Sequence, residues 1–192
     1  MINITPLIKP DYIQPLAAYS CSLGNPFDFP MDLDDTDIDS KNEMIFICDY
    51  LTQHMENKIT LTNYIKEMER FIQWLWRVKE KPLLKLTRED AAEYLTFIQS
   101  PPTHWVAKGR SQVKFLPNGE HNPWWRPFAV RGDGDFKPTL QSMRAAIGAV
   151  TRLYHHLIET GHTQVNPFMK MKYPSTPEGL AGSATSTLIG DL

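Results

Sequence analysis

One stripe of apolar residues constrains this chain more than any other feature: Leu61, Tyr64, Ile65, Met68, Phe71, Ile72, Leu75 and Val78. Residues three and four apart share a helix face, so the spacing predicts a helix over 60–79 with one buried side. Its other side carries Lys66, Arg70, Gln73 and Arg77 and is expected to face water. Met44, Ile47, Cys48, Leu51 and Met55 predict an earlier helix that starts at Ser40, with Ser40 as cap and Glu43 at the capping-box position. Thr87, with Asp90 three residues on, opens a third through Ala91, Tyr94, Leu95 and Ile98, stopped at Ser100-Pro101-Pro102. Leu140, Met143, Ile147, Val150, Tyr154, Leu157 and Ile158 mark a fourth over 139–160, ended by Gly161; Ala145, Ala146, Gly148 and Ala149 would let a neighbour approach closely. No strand period and no repeat stands out. The expected fold class is all-α, with four main helices.

The flanks read differently. Residues 1–39 contain Pro6, Pro10, Pro15, Pro26 and Pro30 and end in the acidic run DLDDTDIDS, which predicts an irregular, weakly ordered arm. Residues 173–192, rich in Pro, Gly, Ser and Thr, read as a linker. The helical domain is expected over 40–172. Within it, 103–137 is a connection longer than compact domains usually tolerate without a function. It carries Lys108, Arg110, Lys114, Arg126, Arg131 and Lys137, together with Trp105, Phe115, Trp124, Trp125 and Phe128. Trp124, Trp125 and Phe128 are expected to be a satellite core that pins the insertion and displays its cations.

The formal net charge of −2 over 192 residues hides an asymmetry. Residues 1–57 hold two basic groups against ten acidic ones, whereas 58–172 hold eighteen against ten. A basic block beside an acidic arm points to a polyanionic partner. No apolar run approaches the ~18–20 residues of a membrane span, and no signal-peptide layout opens the chain. Cys21 and Cys48 form no disulfide framework, so a cytoplasmic setting is expected. The sequence has no dinucleotide or phosphate-loop glycine motif, no H-E-x-x-H and no G-x-S-x-G. His155 and His156 project about 100° apart on a helix, one expected half-buried and one solvated, and cannot easily share an ion. Asp133 and Asp135 lack a full calcium-loop pattern and read as a turn. No cofactor, metal or catalytic residue is expected.

Four segments together resemble a known family. TLTNYIKEMERFIQWL (60–75) resembles the opening helix of the core-binding domain of tyrosine recombinases, the phage-integrase family. KPLLKLTREDAAEYLTFI (81–98) is similar to that family's next element, and SMRAAIGAVTRLYHHLIETGHTQVNPF (142–168) to its closing helix with N-P after a glycine. Trp125-Arg126-Pro127-Phe128 is similar to a W-x-P-F insertion of one subgroup. The resemblance covers about 40–172 and implies a SAM-like four-helix domain that closes over one face of a recombination site. It also implies a separate catalytic domain, with arginines, an H-x-x-R motif and a nucleophilic tyrosine. No histidine here has Arg three residues later, and Leu192 falls about where that domain would begin. The chain alone is therefore expected not to be an enzyme, and Tyr173 is a linker residue.

The expected function is binding of double-stranded DNA, with other recombinase protomers as further partners and no membrane. Cations neutralise phosphates, and side chains at helix starts reach base edges. The candidate residues are Thr60, Thr62, Asn63, Lys66 and Arg70 on the second helix, and Lys108, Arg110, Lys114, Arg126 and Arg131 in the insertion. Thr139, Gln141, Ser142, Arg144 and Arg152 on the last helix complete the set. A helical protein-interaction module in recombinase assembly is the alternative.

Overall fold

The computed structural model describes residues 4–9, 13, 38–109, 113–130 and 134–173. Its main elements are four α-helices: α1 (Ser40–Thr52), α2 (Lys58–Trp74), α3 (Arg88–Gln99) and α4 (Leu140–Glu159). The stripes predict all four. The fold is nevertheless not purely helical, because two three-residue strands, β1 (Val106–Lys108) and β2 (Phe128–Val130), pair in parallel. Val106 faces Phe128 and Lys108 faces Val130. Strands this short leave no alternation to read, and a parallel pair needs a crossover of about a dozen residues or more. The insertion between Gly109 and Pro127 supplies it.

Helix ends follow local chemistry. Asp39, not Ser40, caps α1, accepting from the backbone N–H of Asn42 at 3.1 Å. Glu43 is thereby released from the capping role and turns inward. Its carboxylate accepts from Trp76 Nε1 and from the N–H of Leu83, each at 2.7 Å. The Leu83 carbonyl accepts in turn from the Tyr154 hydroxyl at 2.6 Å. The backbone of one residue, Leu83, thus ties α1, the α2–α3 connection and α4 together. Asn57 caps α2, which continues as a π-helical turn, Leu75–Lys79. The capping box of Thr87 and Asp90 at α3 forms as expected. Lys79 and Lys81 both pair with Asp90. Burial opposes ionisation of Asp90, but Lys81, the Thr87 N–H and Lys79 outweigh it and hold the carboxyl well below its usual range. Thr139 caps α4, and Gly161 at φ 80° ends it where a side chain would strain the left-handed turn.

The core runs between these helices as an aromatic stack. Phe71, Tyr94, Tyr154 and Phe168 meet with ring centroids 5.3–6.2 Å apart. Phe168 comes from the N-P-F turn after α4, which Asn166 holds by donating to the Thr151 carbonyl at 3.0 Å. A second cluster anchors the insertion. Trp105 and Phe128 both pack on Phe97, at 5.0 and 6.0 Å.

The polar side of α2 is not the solvated face its spacing suggests. Glu67, Glu69 and Gln73 are buried, and Arg70 and Arg77 are half-buried. Part of the N-terminal arm covers Glu69, Gln73 and Arg77, with Ile4, Leu7, Ile8 and Ile13 in the core. Gln73 Nε2 donates to the Thr5 carbonyl at 2.5 Å, and Arg77 Nε donates to Gln73 at 2.7 Å. Most of the acidic run lies outside the described residues.

Glu43 provides a test of this packing. Burial pushes its carboxyl up from 4.5 to about 6, against the lowering effect of the Trp76 and Leu83 N–H groups. The folded state therefore holds a proton that the unfolded state has lost between those two values. Stability from this group is complete below about 4.5 and falls as pH rises through about 6. Urea unfolding of the parent and of Glu43→Gln at about pH 4 and pH 7 should show the parent losing about 2 kcal/mol more than the variant on going up. Parallel pH profiles would mean that Glu43 is hydrated in the folded state.

Candidate nucleic-acid interface

α2 and the insertion enclose a cleft of about 630 Å³. One wall is Thr62, Asn63, Ile65, Lys66, Glu69 and Arg70; the other includes Gly109, Lys114, Trp125, Arg126 and Pro127. Six of the sequence-derived candidates, Thr62, Asn63, Lys66, Arg70, Lys114 and Arg126, thus meet in one place, although the two segments lie more than forty residues apart.

Their availability differs. Lys66 is the most open, half-exposed with Nζ 3.0 Å from Glu67. Arg70 is committed to structure. Its Nε donates to the Pro127 carbonyl at 2.9 Å, its Nη1 pairs with Glu67 at 3.1 Å, and its guanidinium lies 4.7 Å from the Phe128 ring centre. Lys114 reaches inward to Glu69 at 2.8 Å and lies 5.7 Å from the Trp125 ring centre. Arg126 Nη1 donates to the carbonyls of Pro123, at 2.9 Å, and Trp125, at 2.6 Å. Arg70, Lys114 and Arg126 are held in fixed geometry. Thr62 donates back to the Lys58 carbonyl at 2.8 Å, which leaves its oxygen as an acceptor, while Asn63 is exposed.

The remaining candidates lie apart from the cleft lining. Thr60 is on the first turn of α2, its N–H held by Asn57. Lys108 is exposed at the end of β1, next to Gly109 of the cleft. Thr139 and Ser142 use their hydroxyls to cap α4, and Gln141 is exposed beside them. Arg144 lies 5.7 Å from the Tyr173 ring centre, and Arg152 lies 6.0 Å from that of Tyr64, so Arg152 approaches α2. Arg110 and Arg131 lie outside the described residues.

Two functional features escaped the sequence. Glu69, 1% exposed, is the hub beneath the cleft, and its charged neighbours gave no hint of burial. The aromatic knot is divided: Trp125 and Phe128 are buried as expected, but Trp124 is 76% exposed. Of the two histidines, His155 is exposed as expected, whereas His156 is buried rather than half-buried. Its Nε2 lies on Asp49 and its Nδ1 on Gln53, each at 2.8 Å. Burial pushes the Cys48 thiol up to about 12, which leaves it protonated and inert at neutral pH. Among the described residues, no group of three His, Cys, Asp or Glu side chains is placed to hold a metal ion, and no helix is long and apolar enough to cross a membrane.

No protein family, curated protein or solved structure matches the chain.

Denaturation separates the pinned from the open cations. Arg70→Ala should cost about 2–4 kcal/mol, because it leaves buried Glu67 with Lys66 alone and takes the donor from the Pro127 carbonyl. Lys66→Ala and Arg144→Ala should stay within about 0.5 kcal/mol of the parent. Trp125→Ala and Phe128→Ala should cost up to roughly 3–5 kcal/mol. Urea midpoints on the five variants decide the matter, and an Arg70→Ala midpoint equal to that of Lys66→Ala would remove Arg70 from the framework.

Proposed function

We propose that this chain binds double-stranded DNA, as the core-binding domain of a site-specific tyrosine recombinase. The observation that carries the reading is the cleft, where Lys66, Lys114 and Arg126 from two distant segments stand beside Thr62 and Asn63. Fixed cations beside hydrogen-bonding side chains suit a phosphate backbone with base edges within reach. On this reading α2 and the insertion hold one stretch of backbone, and Arg152, with the α4 start from Thr139 to Arg144, extends the contact. The resemblance of 60–75, 81–98 and 142–168 to the tyrosine-recombinase domain supports the same assignment. The chemistry of strand cleavage would then belong to a different domain, and the role of this chain is to position the site.

Phosphate contacts release counterions, so affinity should fall steeply with salt. If about four to six phosphates are neutralised, log K against log salt should have a slope of roughly −4 to −5. Fluorescence anisotropy of the full chain with a labelled duplex measures it, and Lys66→Ala should reduce the slope by about one. A flat response would contradict DNA binding and favour a protein-interaction module.

A further inference from the structure

The tryptophans divide sharply. Trp74, Trp76, Trp105 and Trp125 are buried, whereas Trp124 is about three-quarters exposed. This exposure is not that of a loose tip, because Asn122 builds a frame around it. Its N–H donates to the Lys114 carbonyl at 3.0 Å, and its side-chain amide donates to the Val113 carbonyl at 2.8 Å. Its side-chain oxygen accepts from the Trp124 N–H, and its carbonyl from the Trp125 N–H, each at 3.0 Å. Arg126 locks the far side by donating to Pro123. Trp125 then anchors the loop in the core.

A rigid frame that presents a large apolar ring to solvent marks a contact residue. Its surroundings say what kind. Among the described residues of the insertion, the other exposed large apolar side chains are Val113 and Leu116, which offer far less area than a stable protein interface needs. Trp125 and Arg126, the next residues in the chain, line the cleft together with Lys66 and Lys114. A flat π surface one residue along the chain from a cation-bearing cleft wall fits a nucleobase whose flanking phosphates the cations hold. We propose that Trp124 stacks on a base of bound DNA at an opened base step. This inference rests on the DNA-binding reading above and adds the residue that touches the bases.

The test uses the full chain and two labelled duplexes of about 20 base pairs, one fully paired and one with a central mismatch that opens a step easily. The parent should bind the mismatched duplex several-fold more tightly. Trp124→Ala should lose that preference and bind about tenfold or more weakly, with an unchanged melting temperature, while Trp124→Phe retains most of the affinity. Bound duplex should also shield the exposed indole of the parent from acrylamide quenching. If the parent binds DNA and Trp124→Ala binds each duplex as tightly as the parent does, with the same preference, the inference fails while the DNA-binding reading stands. If the parent binds neither duplex, that reading fails first and takes this one with it. If Trp124→Ala instead abolishes self-association in sedimentation and leaves DNA binding intact, the indole serves a second copy of the chain and the inference is wrong.

Discussion

Glu69 is the interaction on which the rest of the architecture depends. A carboxylate removed from water must recover its hydration from protein donors, or it costs several kcal/mol. Here the donors come from three parts of the chain. The backbone N–H groups of Leu7 and Ile8 bind it at 2.7 and 2.9 Å, Gln73 at 3.0 Å and Lys114 at 2.8 Å. One side chain on α2 therefore fixes where the N-terminal segment lies and where the insertion closes. The cleft has its shape because Lys114 must reach Glu69 on one side while Arg70 reaches the Pro127 carbonyl beside it.

That arrangement bears directly on function. Cations on free stems lose side-chain entropy when they meet a phosphate. Arg70, Lys114 and Arg126 are already ordered, each by a partner within 3 Å. What remains for a ligand is the outward part of their field and the half-exposed Lys66. On the proposed DNA-binding reading, such a wall would read backbone geometry more than it would supply raw affinity. The N-terminal segment is part of the same construction, so deleting residues 1–39 would remove Leu7, Ile8 and other core residues as well as negative charge.

Apolar periodicity made the four helices legible. Met68, Phe71, Ile72 and Leu75 repeat at helical spacing, and the Thr87–Asp90 and Thr139 signals located two starts within a residue. The strands were not legible, because Val106–Lys108 and Phe128–Val130 are too short to alternate and are held by Trp105 and Phe128 packing on Phe97. The polar face of α2 misled for a different reason. Glu69 and Gln73 occupy positions that a lone helix would expose, and their partners Lys114 and Thr5 lie 45 and 68 residues away. Periodicity reports which face is apolar and is silent on what covers the other. The candidate cations were legible as types, but only the fold separates open Lys66 from pinned Arg70. Trp124 and Trp125 are identical letters in adjacent places, and only the folded loop, held by Asn122 and Arg126, distinguishes the buried one from the exposed one.

Lysine footprinting tests the central claim most directly, because it asks where a duplex sits on the folded chain. Acetylation of the full chain would be quantified residue by residue, with and without saturating duplex at low salt. The account predicts that Lys66, Lys108 and Lys114 lose reactivity on binding, while Lys85 and Lys170, exposed on other parts of the molecule, react as before. Unchanged reactivity at Lys66 and Lys114 under conditions where the duplex is bound would contradict it.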